Sequence, residues 1–291
     1  MVYLIGNKGM LGSEIERILH HNSMPYYTSD KEIDLCNEEQ LFQYSQGKSP
    51  NWVVNCAAYT AVDKAEEDTE KEPLKVNSSG AGNAAHLARE KNAGFIHIST
   101  DYVFDGKATI PYQSKDNVNP QTRYGMSKAE GEIRVRENHA RSIILRTSWL
   151  YGKNGSNFVD KMLELFRFHS QVRVVNDQTG NPTYSKYLAE FIVYIIRNNY
   201  SFPGTYHFTN SGGVTWYEFA CEIYRMAAEM LILNKNVEII PIKTEEYPFK
   251  AARPSYSVLD TTEIKTHFEY TIRDWKSALY DYLKSKITIP E

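Results

Sequence analysis

The chain has 291 residues, 42% of them hydrophobic, enough for one large domain or a domain with a smaller cap around a sizeable core. Net charge is −3 and the pI about 6.3, so no chain-wide basic field invites nucleic acid or an anionic membrane surface. No apolar run reaches bilayer length, no basic leader precedes the first strand, and Cys36, Cys56 and Cys221 lack CxxC or metal-ligand spacing; reduced thiols, a cytoplasmic location and no metal site are expected.

Val2–Ile5 is a short apolar run that predicts a strand, and it enters Gly6-Asn7-Lys8-Gly9-Met10-Leu11-Gly12. Glycines after a first strand allow a tight turn, admit a pyrophosphate to the backbone and let helix pack on sheet. The helix predicted over Leu11–His21 would offer its N-terminal amides to those phosphates. Tyr26–Ser29 predicts the second strand and Asp30 closes it, where a carboxylate binds adenosine ribose hydroxyls. Asp30 favours NADH because it repels a 2′-phosphate, whereas Lys8 and Lys31 are placed to pair with one. NADH and NADPH both stay open. Asp34 and Leu35 would lie against the adenine.

A helix over Glu38–Ser45 leads to a strand over Trp52–Cys56. Ala57 and Ala58 are small enough for the middle of a dinucleotide to approach, with Tyr59 and Thr60 able to hydrogen-bond it. Asp63 and its acidic neighbours read as a solvated helix start. Asn77 falls inside a helix predicted over Leu74–Lys91, where asparagine is mildly unfavourable unless it braces a neighbouring backbone. The fourth strand, Phe95–Ser99, ends at Thr100-Asp101. Thr100 can polarise a substrate carbonyl, with Ser99 as a competing candidate, and Asp101 can accept from sugar hydroxyls.

On the helix predicted over Arg123–Glu137, Tyr124 and Lys128 are i and i+4 and share a face. A phenol titrates near pH 10 and is a poor acid or base at neutrality, and a neighbouring cation would pull it toward the working range. Behind a dinucleotide-binding turn, this pair is expected to be the acid/base couple of a nicotinamide-dependent reductase. Ser142–Arg146 predicts a fifth strand.

Short apolar strands alternating with helices imply a parallel sheet covered on both faces, the doubly wound (Rossmann) fold. The second half is less regular. Helices are predicted over Phe158–Phe168, Lys186–Asn198, Trp216–Met230 and Arg273–Lys284, with strands over Gln171–Val175, Thr205–Thr209 and Val237–Pro241. The expected class is α/β: a Rossmann unit of residues 1–150 plus about 171–205, and a smaller mixed α/β substrate unit of 151–170 plus about 206–291.

Taken together, these motifs resemble the dTDP-4-dehydrorhamnose reductase family of extended short-chain dehydrogenases. The resemblance rests on the GxxGxxG turn, the stretch from Asn55 to Glu66, Ser99 to Gly106, and Tyr124-Gly125-Met126-Ser127-Lys128. It continues through Arg146 to Tyr151, Asn157-Phe158, Asn176 to Thr183, Thr215 to Ala220 and Arg253 to Ser257. Cys56 and Asn181 stand where smaller residues are usual, and Tyr59 replaces a frequent histidine. The resemblance implies NAD(P)H-dependent reduction of the 4-keto group of dTDP-4-dehydro-6-deoxy-L-mannose to dTDP-L-rhamnose, the last step of dTDP-rhamnose biosynthesis. It makes Tyr124 the proton donor, with Lys128 tuning it and binding the nicotinamide ribose, and Thr100, Asp101 and Trp149 contacts of the sugar. Gly9, Met10, Leu11, Asp30, Asp34, Leu35, Ala58, Tyr59 and Thr60 fall at dinucleotide-contacting positions. Arg253 is a candidate for the substrate diphosphate, a surface salt bridge being the alternative. Members are often homodimers, some with a divalent ion between subunits. Two other functions stay open: an epimerase or dehydratase that retains NAD, and a cofactor-binding regulatory subunit like the beta subunit of methionine adenosyltransferase.

Overall fold

A run of apolar residues too short for a helix buries both its faces only inside a sheet sandwiched by helices. In the computed structural model, which describes residues 1–248 and 250–287, six such strands lie parallel. Their spatial order is Tyr26–Ser29, Val2–Ile5, Trp52–Asn55, Gly94–Thr100, Ser142–Thr147 and Gly204–His207. Val2–Ile5 pairs with both the second and the third strand. The direction of winding therefore reverses beside it, opening a crevice at the strands' carboxyl ends.

One face of the sheet is covered by the helices Met10–His21 and Ser185–Arg197, with Leu11, Ile15 and Leu19 in one core with Leu188, Phe191 and Ile192. The other carries Ala81–Glu90 and Arg123–Asn138, where Ala81, Ala84, Ala85 and Ala88 are buried. A methyl-sized face lets that helix sit close to the strands.

After the fifth strand, the helix Ser185–Arg197 packs beside Met10–His21 and the strand Gly204–His207 pairs with Ser142–Thr147 at the sheet edge. Gln171–Val175 instead pairs in parallel with Glu238–Ile242, away from the six-stranded sheet. Its side chains explain this: Gln171 and Arg173 are exposed while Val172 and Val174 are buried. A half-wet strand suits a small sheet, not the dry centre of a doubly wound one. The helices Phe158–Phe168 and Trp216–Glu229 pack beside that pair.

The helix expected over Leu74–Lys91 is broken into Glu72–Leu74, a π-helical turn Lys75–Gly80, and Ala81–Glu90. The wide turn carries Asn77, whose side chain bonds outside its own helix, and such bulges recur at functional sites. No helix among the described residues is long and apolar enough to cross a membrane.

Candidate active site

The crevice is a cleft of about 540 Å³. Its walls are the glycine turn, the Cys56–Thr60 segment, the end of the fourth strand, the Tyr124 helix, and the chain from Thr147 to Ser156.

Gly6 turns the chain at φ +80° and donates its N–H to Ser29 O at 2.7 Å. A Cβ on Gly12 would stand 2.0 Å from Gly6 O, so only glycine lets the helix start so close to the strand end. Gly9 differs. A Cβ there would meet nothing nearer than Gly6 O at 3.5 Å, and its φ of −72° suits any residue. Met10 and Leu11 follow it into the helix and line the same wall.

Asp30 stands beside this turn, its carboxylate accepting from the backbone N–H of Lys8 at 3.1 Å and of Lys31 at 2.9 Å. The Lys8 ammonium reaches Glu32 at 3.4 Å. Asp34 is exposed, with Oδ1 accepting from Cys36 N–H. Leu35 is buried in the core against Gly80. Ala58 and Thr60 line the cleft. Tyr59 is clamped from outside: Asn77 accepts from its N–H at 2.8 Å and donates to its carbonyl at 3.0 Å. Asn77 also donates to Ser127 Oγ at 2.9 Å, tying the π-turn to the Tyr124 helix.

That helix is started by Thr122, whose hydroxyl accepts from Gly125 N–H at 3.0 Å. Its i, i+4 stripe of Tyr124, Lys128 and Glu132 is buried against the sheet. Thr100 Oγ1 donates to Asp101 Oδ1 at 3.0 Å, next to the Tyr124 phenol. Burial pushes the Tyr124 phenol above its ordinary range, the Thr100 hydroxyl works against that, and the charge of Asp101 adds to it. Burial likewise pushes the Asp101 carboxyl up to about 6.

Lys128, only 2% exposed, donates to Ile98 O at 2.6 Å and lies 3.5 Å from His97 Nε2. Burial lowers its ammonium to about 8, partly offset by Glu132. The expected depression of the Tyr124 phenol by the Lys128 cation is therefore reversed here. The ammonium is turned to a backbone carbonyl; desolvation and the Asp101 charge raise the phenol together, and at Lys128 desolvation outweighs the charge of Glu132.

Several of the residues that build the site carry no local motif. His97 is fully buried, 3.3 Å from Asn55 Nδ2, and burial beside Lys128 holds it well below the usual imidazole range. Glu132 accepts from Arg146 Nε at 2.8 Å and Nη2 at 2.7 Å, from Ser99 Oγ at 2.7 Å, and from Arg136 at 2.8 Å. Ser99, the competitor to Thr100, is thus turned toward this ion pair. An arginine ending the apolar run Ile143-Ile144-Leu145 was the available signal for a buried partner.

Trp149 lines the cleft at the end of the fifth strand. Arg253 does not line it. Its guanidinium donates to Tyr102 Oη at 3.0 Å and to Asp63, beside a neighbouring cavity of about 270 Å³. Asp63, read as a solvated helix start, also accepts from Lys250 and Ala251 N–H. It anchors a strap from the C-terminal region across to the third-strand loop.

A parallel doubly wound sheet, a glycine turn at its switch point and a buried Thr–Tyr–Lys group across one cleft define a Rossmann-fold protein of the extended short-chain dehydrogenase class. The family described as "RmlD substrate binding domain" matches residues 1–287, and the chain belongs to it. It is 39% identical to the spore coat polysaccharide biosynthesis protein SpsK of Bacillus subtilis, over 98% of this chain and 97% of that one. It is 37% identical to a dTDP-4-dehydrorhamnose reductase of Aggregatibacter actinomycetemcomitans, over 95% and 96% of the two chains. A solved structure of dTDP-4-dehydrorhamnose reductase from Bacillus anthracis, in complex with NADP, superposes with a TM-score of 0.91 at 36% identity, covering 98% and 99%.

Proposed function

We propose that this protein reduces the 4-keto group of dTDP-4-dehydro-6-deoxy-L-mannose with NADPH or NADH, giving dTDP-L-rhamnose. The observation that carries the reading is one cleft in which buried Thr100, Tyr124 and Lys128 share walls with the glycine turn. Curated reductases of that name lie at 33–37% identity over nearly the whole chain. The residues fit a dinucleotide. Gly9 has steric room for a side chain and lacks one, as a site that must admit a diphosphate to bare backbone requires. The nicotinamide, when bound, supplies hydride to the carbonyl carbon.

The protein's own groups handle the proton and the charge. An ordinary phenol is protonated at neutral pH and burial pushes Tyr124 further that way, so it enters the reaction as an acid. An alkoxide is more basic than a phenolate, so proton transfer to the carbonyl oxygen runs downhill. Thr100 donates its one hydroxyl hydrogen to Asp101 Oδ1 in the free protein and would turn it to the same oxygen when the substrate is bound. Lys128 would hold the nicotinamide ribose of a bound cofactor, and its positive charge would stabilise the phenolate left on Tyr124 until solvent returns the proton. In this reading, residues 1–150 with the returning helix and strand carry the cofactor, and the remainder carries the sugar nucleotide. A cytoplasmic location and a homodimer belong to the same proposal, and sedimentation decides the second.

The test is oxidation of NADPH and NADH in parallel with the sugar nucleotide, for the wild type and Tyr124→Phe. The expected result is turnover with at least one cofactor, falling about 100- to 1,000-fold in the variant with cofactor affinity unchanged. Near-full rate in Tyr124→Phe would remove Tyr124 from the mechanism. Cofactor binding without any oxidation would point instead to the regulatory-subunit function.

A further inference from the structure

Trp149 sits at φ +46°, a region where the Cβ of a bulky residue crowds the following carbonyl. Such a conformation persists only where the surroundings over-determine it, and it clusters at functional sites. Three surroundings do so. The Trp149 carbonyl accepts from Thr183 N–H at 3.2 Å, and the preceding Ser148 Oγ donates to Asn181 O at 2.7 Å. Gly180 leaves space for the indole, since a Cβ there would lie 2.6 Å from Cε2 and 2.7 Å from Nε1. Trp216 stacks on Trp149 with ring centroids 3.3 Å apart and planes 7° from parallel.

Trp216 is itself fixed. It opens the helix Trp216–Glu229, which begins with a reciprocal cap between Thr215 and Glu218. Phe158 backs its ring at 4.4 Å. Trp216 does not line the cleft, so it makes no contact there, yet it and Gly180 decide where the Trp149 ring points. A tryptophan pair that only filled core would need neither a left-handed backbone nor a glycine-only neighbour.

We propose that Trp216 and Gly180 are positioning residues for the sugar, acting through Trp149. They preset its indole as the flat apolar wall against which the C–H face of a deoxyhexose is oriented for reduction. This rests on the proposed reductase activity and on the reading, implied by the family resemblance, that cleft-lining Trp149 contacts the sugar.

The test measures sugar-nucleotide KM and kcat, cofactor Kd and thermal stability for Trp149→Phe, Trp216→Phe, Trp216→Leu and the double variant Trp149→Phe/Trp216→Leu. Trp216→Leu is expected to lower kcat/KM for the sugar nucleotide about 5- to 10-fold, through KM, with cofactor Kd unchanged. Trp216→Phe restores most of the loss, and the double variant is no worse than the poorer single one, because both act through one ring. If Trp149→Phe raises KM and Trp216→Leu does not, the proposal fails and the reading of Trp149 stands. If neither raises KM, that reading fails and takes the proposal with it. A parallel loss of stability, kcat and cofactor affinity in Trp216→Leu, without a selective KM effect, would mark a merely structural pair and overturn the proposal.

Discussion

Replacing Glu132 with glutamine would strand Arg146 as a buried cation. The two residues are 1% and 2% exposed, and among the described residues Ser114 O at 3.0 Å is the remaining acceptor of Arg146. Breaking such a pair from one side costs about 3–5 kcal/mol. At about 2.1 cal/mol/K of unfolding entropy per residue, 291 residues give roughly 0.6 kcal/mol/K. The melting temperature should therefore fall by about 5–8 °C. The acid dependence also changes. Burial alone would raise the Glu132 carboxyl, but Arg146, Ser99 and Arg136 outweigh it and hold it below the usual glutamate range. Its folded value is depressed, so its stabilisation is present at neutral pH and is lost as pH falls through that low value; the glutamine variant lacks this loss. There is a catalytic echo as well. The Glu132 charge supports the Lys128 ammonium, which titrates at about 8, so the alkaline limb of kcat/KM should begin near there and move to lower pH in Glu132→Gln. Thermal melts across pH and a kcat/KM profile measure both effects. The double variant Glu132→Leu/Arg146→Met removes both charges and should recover much of the stability. A double variant as unstable as the single one would refute the unpaired-charge account.

Gly9→Ala should leave the melting temperature unchanged while weakening cofactor binding by at least about tenfold, since the protein leaves room for the methyl and a diphosphate would not; calorimetric Kd values equal to wild type would remove the turn from the cofactor site. Gly12→Ala should lower both affinity and melting temperature, because its methyl would meet Gly6 O at 2.0 Å. Asp101→Asn should raise stability at neutral pH while weakening the sugar nucleotide. Burial lifts Asp101 to about 6, so its ionised form costs about 3 kcal/mol above that pH, and the gain should vanish in melts below about pH 4. No gain at pH 8 would show that the carboxylate is better compensated than its surroundings suggest.

The local elements were legible in the sequence because they obey two short periods. The strands Val2–Ile5, Tyr26–Ser29 and Gln171–Val175 and the helix Phe158–Phe168 fall where alternation and the 3.6-residue repeat place them. The glycine turn, Thr100 at a strand end and the Tyr124–Lys128 pair were legible for the same reason, each being a run of a few residues. Where the pattern was short it failed: the helix Thr262–Phe268 buries only Ile264 and Phe268, too few positions to announce a helix. What only tertiary structure decided is long-range. The strap joins Arg253 to Asp63 across 190 positions, Arg146 finds Glu132 from another element, and Trp216 comes to lie on Trp149. The protonation of the site belongs to this second group. A cation four residues from a phenol argues for a lowered pKa, but burial sets the sign at Tyr124 and Lys128 alike. Periodicity is a property of neighbours along the chain, whereas desolvation is a property of everything that folds around a group.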